Sequence, residues 1–194
     1  MNPALRESLL NLPNLLTLVR VGSIPLLVGV LYLPGESWSR VAGGLFFVAG
    51  LTDLLDGWLA RRLRKVTVLG QYLDPVADKL LVASMLVMLS ALGRLPAWMT
   101  ILIICREIAV TGMRALAANH GLVVPSDLWG KWKTALQMLG VWLLMVYYPL
   151  GEFQPAYWGL WCMWLAVGIT AWSGLAYAMR FQRILTGQRQ ADQG

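Results

Sequence analysis

Apolar stretches of about 20 residues recur down the whole chain, and each is long enough to cross a hydrocarbon core of roughly 30 Å as a helix. The bilayer is therefore the expected solvent. Of the 194 residues, 58% are hydrophobic and 13% charged, against roughly 45 to 50% apolar for soluble domains, which argues against a water-soluble fold. The stretches predict an all-α integral membrane protein with six transmembrane helices, over residues 12–33, 41–60, 73–93, 96–117, 129–149 and 156–180. They leave room for a single membrane domain spanning 1–194, with residues 1–11 as a juxtamembrane segment and 185–194 as a polar tail, of which Gln188 to Gly194 are expected to fray. Pro3 to Leu10 could form a short interfacial helix. No small-residue cleavage site follows the first stretch, so it reads as a retained helix and not a signal peptide. Leu33-Pro34-Gly35, Gly93 with Pro96, and Pro149 to Pro155 mark turns between spans.

The cations give an orientation. With six spans, Arg61, Arg62, Arg64, Lys65, Arg114, Lys131, Lys133, Arg180, Arg183 and Arg189 fall on one side with both termini, and Arg40 and Arg94 on the other. The positive-inside tendency puts the first side in the cytoplasm. The net charge of +6 accordingly reads as topology and attraction to anionic membrane lipids; no basic-aromatic module for nucleic acid is present. Cys105 and Cys162 lack the paired spacing of a metal set and are expected to be buried small apolar residues. Trp38, Trp98, Trp129, Trp132 and Trp158 fall near span ends, where they serve as interfacial anchors, and His120 is given no role.

Acids inside membrane spans cost on the order of 2.5 to 3.5 kcal/mol each. Four of the chain's ten acids nevertheless crowd into residues 53 to 78. Asp53 and Asp56 are three apart, Asp74 and Asp78 four apart, so each pair shares one face of its helix. The short cationic connection makes the two helices antiparallel neighbours and lets the faces converge. Four carboxylates in one cleft repel unless a cation is present, and an all-oxygen donor set suits Mg²⁺ or Mn²⁺, with Ca²⁺ also compatible. The competing reading pairs the carboxylates with Arg61, Arg62, Arg64 and Lys79, but salt bridges do not demand two matched pairs. Gly57, Ala60 and Gly70 remove bulk near the acidic face, either for a ligand that approaches the backbone or for close helix packing.

The segment Asp53-Leu-Leu-Asp56-Gly57-Trp-Leu-Ala60-Arg61, then eight residues, Gly70, three residues, Asp74, three residues and Asp78 resembles the signature of the CDP-alcohol phosphatidyltransferases, D-x2-D-G-x2-A-R-x8-G-x3-D-x3-D. Every specified position matches at its spacing. The resemblance implies a six-helix membrane enzyme, usually a homodimer, that transfers a phosphoalcohol group from a CDP-linked donor to an alcohol and releases CMP. It implies that Asp53, Asp56 and Asp74 hold two Mg²⁺ or Mn²⁺ ions on the donor diphosphate, and that Asp78 is the base and also assists one ion. Gly57, Ala60, Arg61 and Gly70 would line the pocket for CDP together with Asp53 and Asp56. It also implies a bacterial inner membrane, with the site at the cytoplasmic face.

Outside the signature, Asn11-Leu-Pro-Asn14-Leu-Leu-Thr17-Leu-Val-Arg20 with Pro25 resembles the opening of phosphatidylglycerophosphate synthases, a branch of that family, as do Arg106-Glu107-Ile with Arg114 and Gly130-Lys131-Trp-Lys133-Thr134 with Gln137. The implied substrates are CDP-diacylglycerol and sn-glycerol 3-phosphate. The acceptor's phosphate needs fixed cations, which Arg106, Arg114, Lys131 and Lys133 can supply if their helix ends converge near the aspartates. Lys131 and Lys133 could instead be topological charge at the interface. For Arg106 the alternative is pairing with Glu107, which the ~100° divergence of neighbouring helical residues makes awkward, so a phosphate role is expected. Two other readings stand beside this one: a cardiolipin synthase using phosphatidylglycerol, and a cation transporter. The transporter is disfavoured because a transport path spreads acids across membrane depth, whereas the side opposite the quartet offers only Glu36 and Glu152.

Overall fold

In a computed structural model, the backbone is described for residues 12–63, 68–119 and 128–191, and side chains for 17–52, 76–117 and 132–179. Six helices occupy these residues: α1 Leu12–Tyr32, α2 Glu36–Leu63, α3 Val68–Ala91, α4 Ala97–Asn119, α5 Leu128–Val146 and α6 Pro155–Ala191. Apart from an isolated bridge between Leu150 and Phe153, no β-pairing occurs among the described residues. Each helix overlays one expected span, because each span is a long apolar run bounded by turn residues. The C-terminal boundary is a correction. The tail expected to fray from Gln188 is helical to Ala191, since Gln, Arg and Ala are good helix formers and extend a helix already nucleated at Pro155. Pro3 to Leu10 and His120 lie outside the described residues.

The turns follow from backbone chemistry. α3 ends in a Schellman motif: Gly93, at φ 69°, donates its N–H to Ser90 O at 3.0 Å, and Arg94 N–H reaches Leu89 O at 2.9 Å. The left-handed position is open to glycine without a Cβ penalty. Arg94 then ties this end of the bundle together. Its guanidinium donates to the carbonyls of Leu144 (3.3 Å) and Met145 (3.1 Å) and to Ser39 Oγ (2.8 Å), and lies 4.4 Å from the Tyr147 ring centroid. The last carbonyls of α5 lack helical partners, and a cation is the complement they need. Tyr147 is the one described non-glycine residue at positive φ, 59°, and Arg94 sits over its ring where the strain is held.

α1 packs along both α2 and α3; α5 lies against α2, α3 and α6, while α4 contacts α3 and α6. Leu27 and Leu31 of α1, Phe46 of α2, Leu81, Met85 and Leu89 of α3, Met99 and Ile103 of α4, Val141 and Leu144 of α5 and Met163 of α6 join in one buried cluster. α1 is thus the shared neighbour of α2 and α3. The convergence of their acidic turns falls on residues whose side chains are mostly outside the described set.

Helix spacing is set by glycine. A Cβ on Gly43 of α2 would come within 2.7 Å of Val146 Cγ2 on α5, and one on Gly140 of α5 within 2.8 Å of Met163 Sδ on α6. Val146 is β-branched and stiff, so the first contact has little room to yield. Gly43→Leu is expected to destabilise by about 1 to 3 kcal/mol through overpacking, read as a lower Tm of the purified protein in detergent; a wild-type Tm would show that α2 and α5 can separate at no cost.

The outer surface is apolar. Val19, Phe47, Ile101, Ile108, Trp132 and Trp172 are each more than half exposed. Trp38, Trp98, Trp132 and Trp158 are exposed near helix ends, as expected of anchors. The cysteines correct the sequence reading: Cys105 is exposed, and Cys162 is only partly buried, with its Cβ against Gly140 of α5. Within α6, Pro155–Met179 is long and apolar enough to cross a membrane, and Thr17–Tyr32 and Trp132–Val146 are shorter apolar stretches.

Candidate active site

The contacts fix which helix ends meet. Gly43 faces Val146 and Gly50 faces Met138, so α2 and α5 run antiparallel. Arg94 and Ser39 mark one end of the bundle. Continuing the α2–α5 register toward the other end sets the backbone of Asp53 about level with Ala135 and that of Asp56 about level with Lys133. On the α3–α4 side, Thr100 Oγ1 bonds Leu86 O at 3.3 Å and Lys79 Nζ bonds Thr111 Oγ1. That antiparallel pair carries Asp74 and Asp78 toward the same end. The acidic signature thus lies, by backbone position, at the end opposite Arg94.

Asp53, Asp56, Gly57, Ala60 and Arg61 are on α2, and Gly70, Asp74 and Asp78 on α3. Both stretches are unbroken helix, so the spacings of three and four do put each aspartate pair on one face. Asp78 is half-buried. The side chains of the other signature residues and of Lys131, which is on α5, lie outside the described residues. The donor set is four hard carboxylates without His or Cys, which fits a divalent ion of the magnesium class. Asp53, Asp56, Asp74 and Asp78 are the residues that would hold it.

Beside these positions the described side chains form a charged cluster. Lys133 of α5 is only 3% exposed, and its Nζ bonds Glu107 Oε1 of α4. Arg106 Nη1 reaches the same carboxylate oxygen at 3.0 Å, and its Nη2 donates to Ser173 Oγ of α6 at 2.9 Å. Thr111 Oγ1 accepts from Lys79 and donates to Glu107 O at 2.6 Å, linking α3 to α4. Gly174 lets Arg106 lie along α6, since a Cβ there would meet Arg106 Cγ at 3.2 Å. Arg114 is exposed and sits 5.6 Å from the Tyr177 ring centroid.

Two sequence expectations change here. Adjacency does not keep Arg106 from Glu107: a flexible arginine stem bridges the angle between neighbouring positions, and the pair is formed at 3.0 Å. Lys133 is no interfacial topology charge, because it is buried and ion-paired. Glu107 and Ser173 were not singled out as site residues. Glu107 had a signal, being an ionisable group within an apolar span, where such groups mark function by default. Ser173 had none, since one serine in an apolar helix is ordinary.

Hydrogen-bonding capacity remains along the α4–α6 face. Arg106 Nε, Thr170 Oγ1 and Tyr177 OH are buried with no hydrogen-bond partner among the described residues. Buried polar atoms ordinarily find partners, and Arg106 Nε is one a ligand's acceptor oxygen would satisfy.

The profile of the CDP-alcohol phosphatidyltransferase family matches residues 10–172. The chain is 39% identical over 180 residues to the CDP-diacylglycerol--glycerol-3-phosphate 3-phosphatidyltransferase of Bacillus subtilis (strain 168), covering 86% of this chain and 93% of that protein. It is 42% identical over 176 residues to the protein of that name from Pseudomonas fluorescens, covering 87% and 88%. A cardiolipin synthase (CMP-forming) of Oryza sativa subsp. japonica is 36% identical over 196 residues, covering 91% of this chain but 59% of that protein.

Proposed function

The chain belongs to the CDP-alcohol phosphatidyltransferase family, and from that membership we propose that it transfers the phosphatidyl group of CDP-diacylglycerol to sn-glycerol 3-phosphate, giving phosphatidylglycerophosphate and CMP. The observation that carries this reading is near full-length likeness to proteins named for that reaction, in a chain whose acidic signature and buried cations share one end of the bundle.

The acceptor's free hydroxyl oxygen attacks the phosphorus that bears the diacylglycerol oxygen. A new P–O bond forms, the P–O bond to CMP breaks, and CMP leaves with the electron pair. Asp78 accepts the hydroxyl proton, as a carboxylate within reach of a weak nucleophile should. Asp53, Asp56, Asp74 and Asp78 would hold two Mg²⁺ or Mn²⁺ ions, which would supply charge neutralisation at the diphosphate and Lewis-acid polarisation of its phosphorus. Gly57, Ala60 and Gly70 leave room for the CDP moiety beside Arg61. Arg106 and Lys133, with Arg114 and Lys131, hold the acceptor's phosphate; guanidinium offers paired donors and ammonium a point charge.

The six helices span the bilayer as one domain, which the apolar outer surface supports. The cations at the signature end support a cytoplasmic location of both termini and of the site, in the bacterial inner membrane. The working form is a homodimer.

One relative's name favours a second reading, cardiolipin synthesis with phosphatidylglycerol as acceptor. An acceptor panel separates the two: purified protein with CDP-diacylglycerol and Mg²⁺ or Mn²⁺ should release CMP with sn-glycerol 3-phosphate and make phosphatidylglycerophosphate, and release should stop when the metal is chelated. Release with phosphatidylglycerol as the effective acceptor would overturn the assignment, and metal-dependent ion flux in liposomes without CMP formation would point to a transporter.

A further inference from the structure

Lys133 is an ammonium almost fully removed from solvent, and such a group persists only with an anion against it. Glu107 supplies that anion, and the same carboxylate oxygen holds Arg106. Arg106 is gripped on its other side by Ser173. Lys79 joins through Thr111, which also bonds the Glu107 carbonyl. Lys79, Arg106 and Lys133 set against Glu107 leave a formal charge of +2 on this group of four. A phosphomonoester carries about −1.5 to −2 near neutral pH; a phosphodiester carries −1.

We propose that Glu107 is a positioning residue that holds Arg106 and Lys133 as a preformed cradle for a phosphomonoester. This rests on the reading that Arg106 and Lys133 hold the acceptor's phosphate. Glu107 touches neither substrate nor metal; it acts through the two cations. Without it, three cations face one another across α3, α4 and α5, and the buried ammonium must lose its proton or swing away. A cradle already aimed before binding spares the acceptor the cost of ordering two long side chains.

The test is CMP release by purified protein in detergent with CDP-diacylglycerol and Mg²⁺, comparing wild type, Glu107→Gln and Glu107→Asp, with thermal unfolding to confirm a folded chain. Glu107→Gln is expected to raise the acceptor KM about tenfold or more while the donor KM stays within about twofold. The inhibition constant of inorganic phosphate against the acceptor should rise in parallel, and Glu107→Asp, which restores charge, should recover part of the loss. An unchanged acceptor KM in a folded Glu107→Gln protein, an equal rise in both KM values, or an aspartate variant no better than glutamine overturns the proposal. Should Glu107→Gln not fold, Glu107→Asp decides alone: an acceptor KM raised severalfold at constant donor KM supports it, and wild-type values overturn it. Failure of the underlying reading shows separately, as wild-type protein that releases no CMP with glycerol 3-phosphate.

Discussion

Asp74→Asn should lower CMP release by about 10³-fold or more at saturating substrates. A two-metal clamp contributes several kcal/mol of transition-state stabilisation, and each ~1.4 kcal/mol is a decade in rate. Asn keeps the size and one oxygen of Asp74 but removes the charge that lets a hard divalent ion bind in an apolar setting. Asp74 lies in the second turn of α3, inside unbroken helix, so the isosteric exchange is expected to leave the backbone in place and the loss to report ligation. The check is CMP release titrated against Mg²⁺ and Mn²⁺, with thermal unfolding as control. A shifted metal requirement with part of the rate recovered at high Mn²⁺ supports ligation. Turnover within a few-fold of wild type at ordinary metal would mean that the ion is held by other residues.

Asp78→Asn separates two roles that Asp74 cannot. As general base, Asp78 is expected to contribute about 10²- to 10⁴-fold to turnover. It is half-buried on α3, one residue before the Lys79 that reaches Thr111 on α4. The expected signature is a collapse of kcat with donor and metal binding close to wild type. If metal affinity falls together with kcat, Asp78 is a ligand first; if turnover persists near wild type, the proton goes elsewhere and the ligand role proposed for Asp53, Asp56 and Asp74 is untouched.

Helix number and the acidic positions were readable because each depends on local pattern. An apolar run near 20 residues reports its solvent wherever it sits, and spacings of three and four report a shared helix face before any partner helix is known. The turn at Gly93 was legible for the same reason: a left-handed residue at a helix C-terminus is a local requirement. Misreadings arose where local pattern was pushed past its range. The angle between neighbouring helical positions suggested that Arg106 and Glu107 diverge, yet side-chain length erased that angle. The polar composition of residues 188 to 191 suggested an end, yet a nucleated helix continued through it. The cysteines were taken for buried because they are small and apolar, but apolar residues also face outward in this bundle.

By itself, the sequence determined the apolar composition, the six helices, the family signature and the four carboxylates, all of them properties of composition and short-range spacing. Tertiary structure alone decided that Lys133 of α5 is buried against Glu107 of α4, that Ser173 of α6 completes the hold on Arg106, and that Arg94 ties the opposite end together. The physical reason is that a contact between helices depends on their rotation and axial register. Those are set by where helices can approach, as at Gly43, Gly140 and Gly159, and a glycine's consequence is invisible until its neighbour is known. The acidic end could therefore be named in advance, while the cationic half of the site had to be seen assembled.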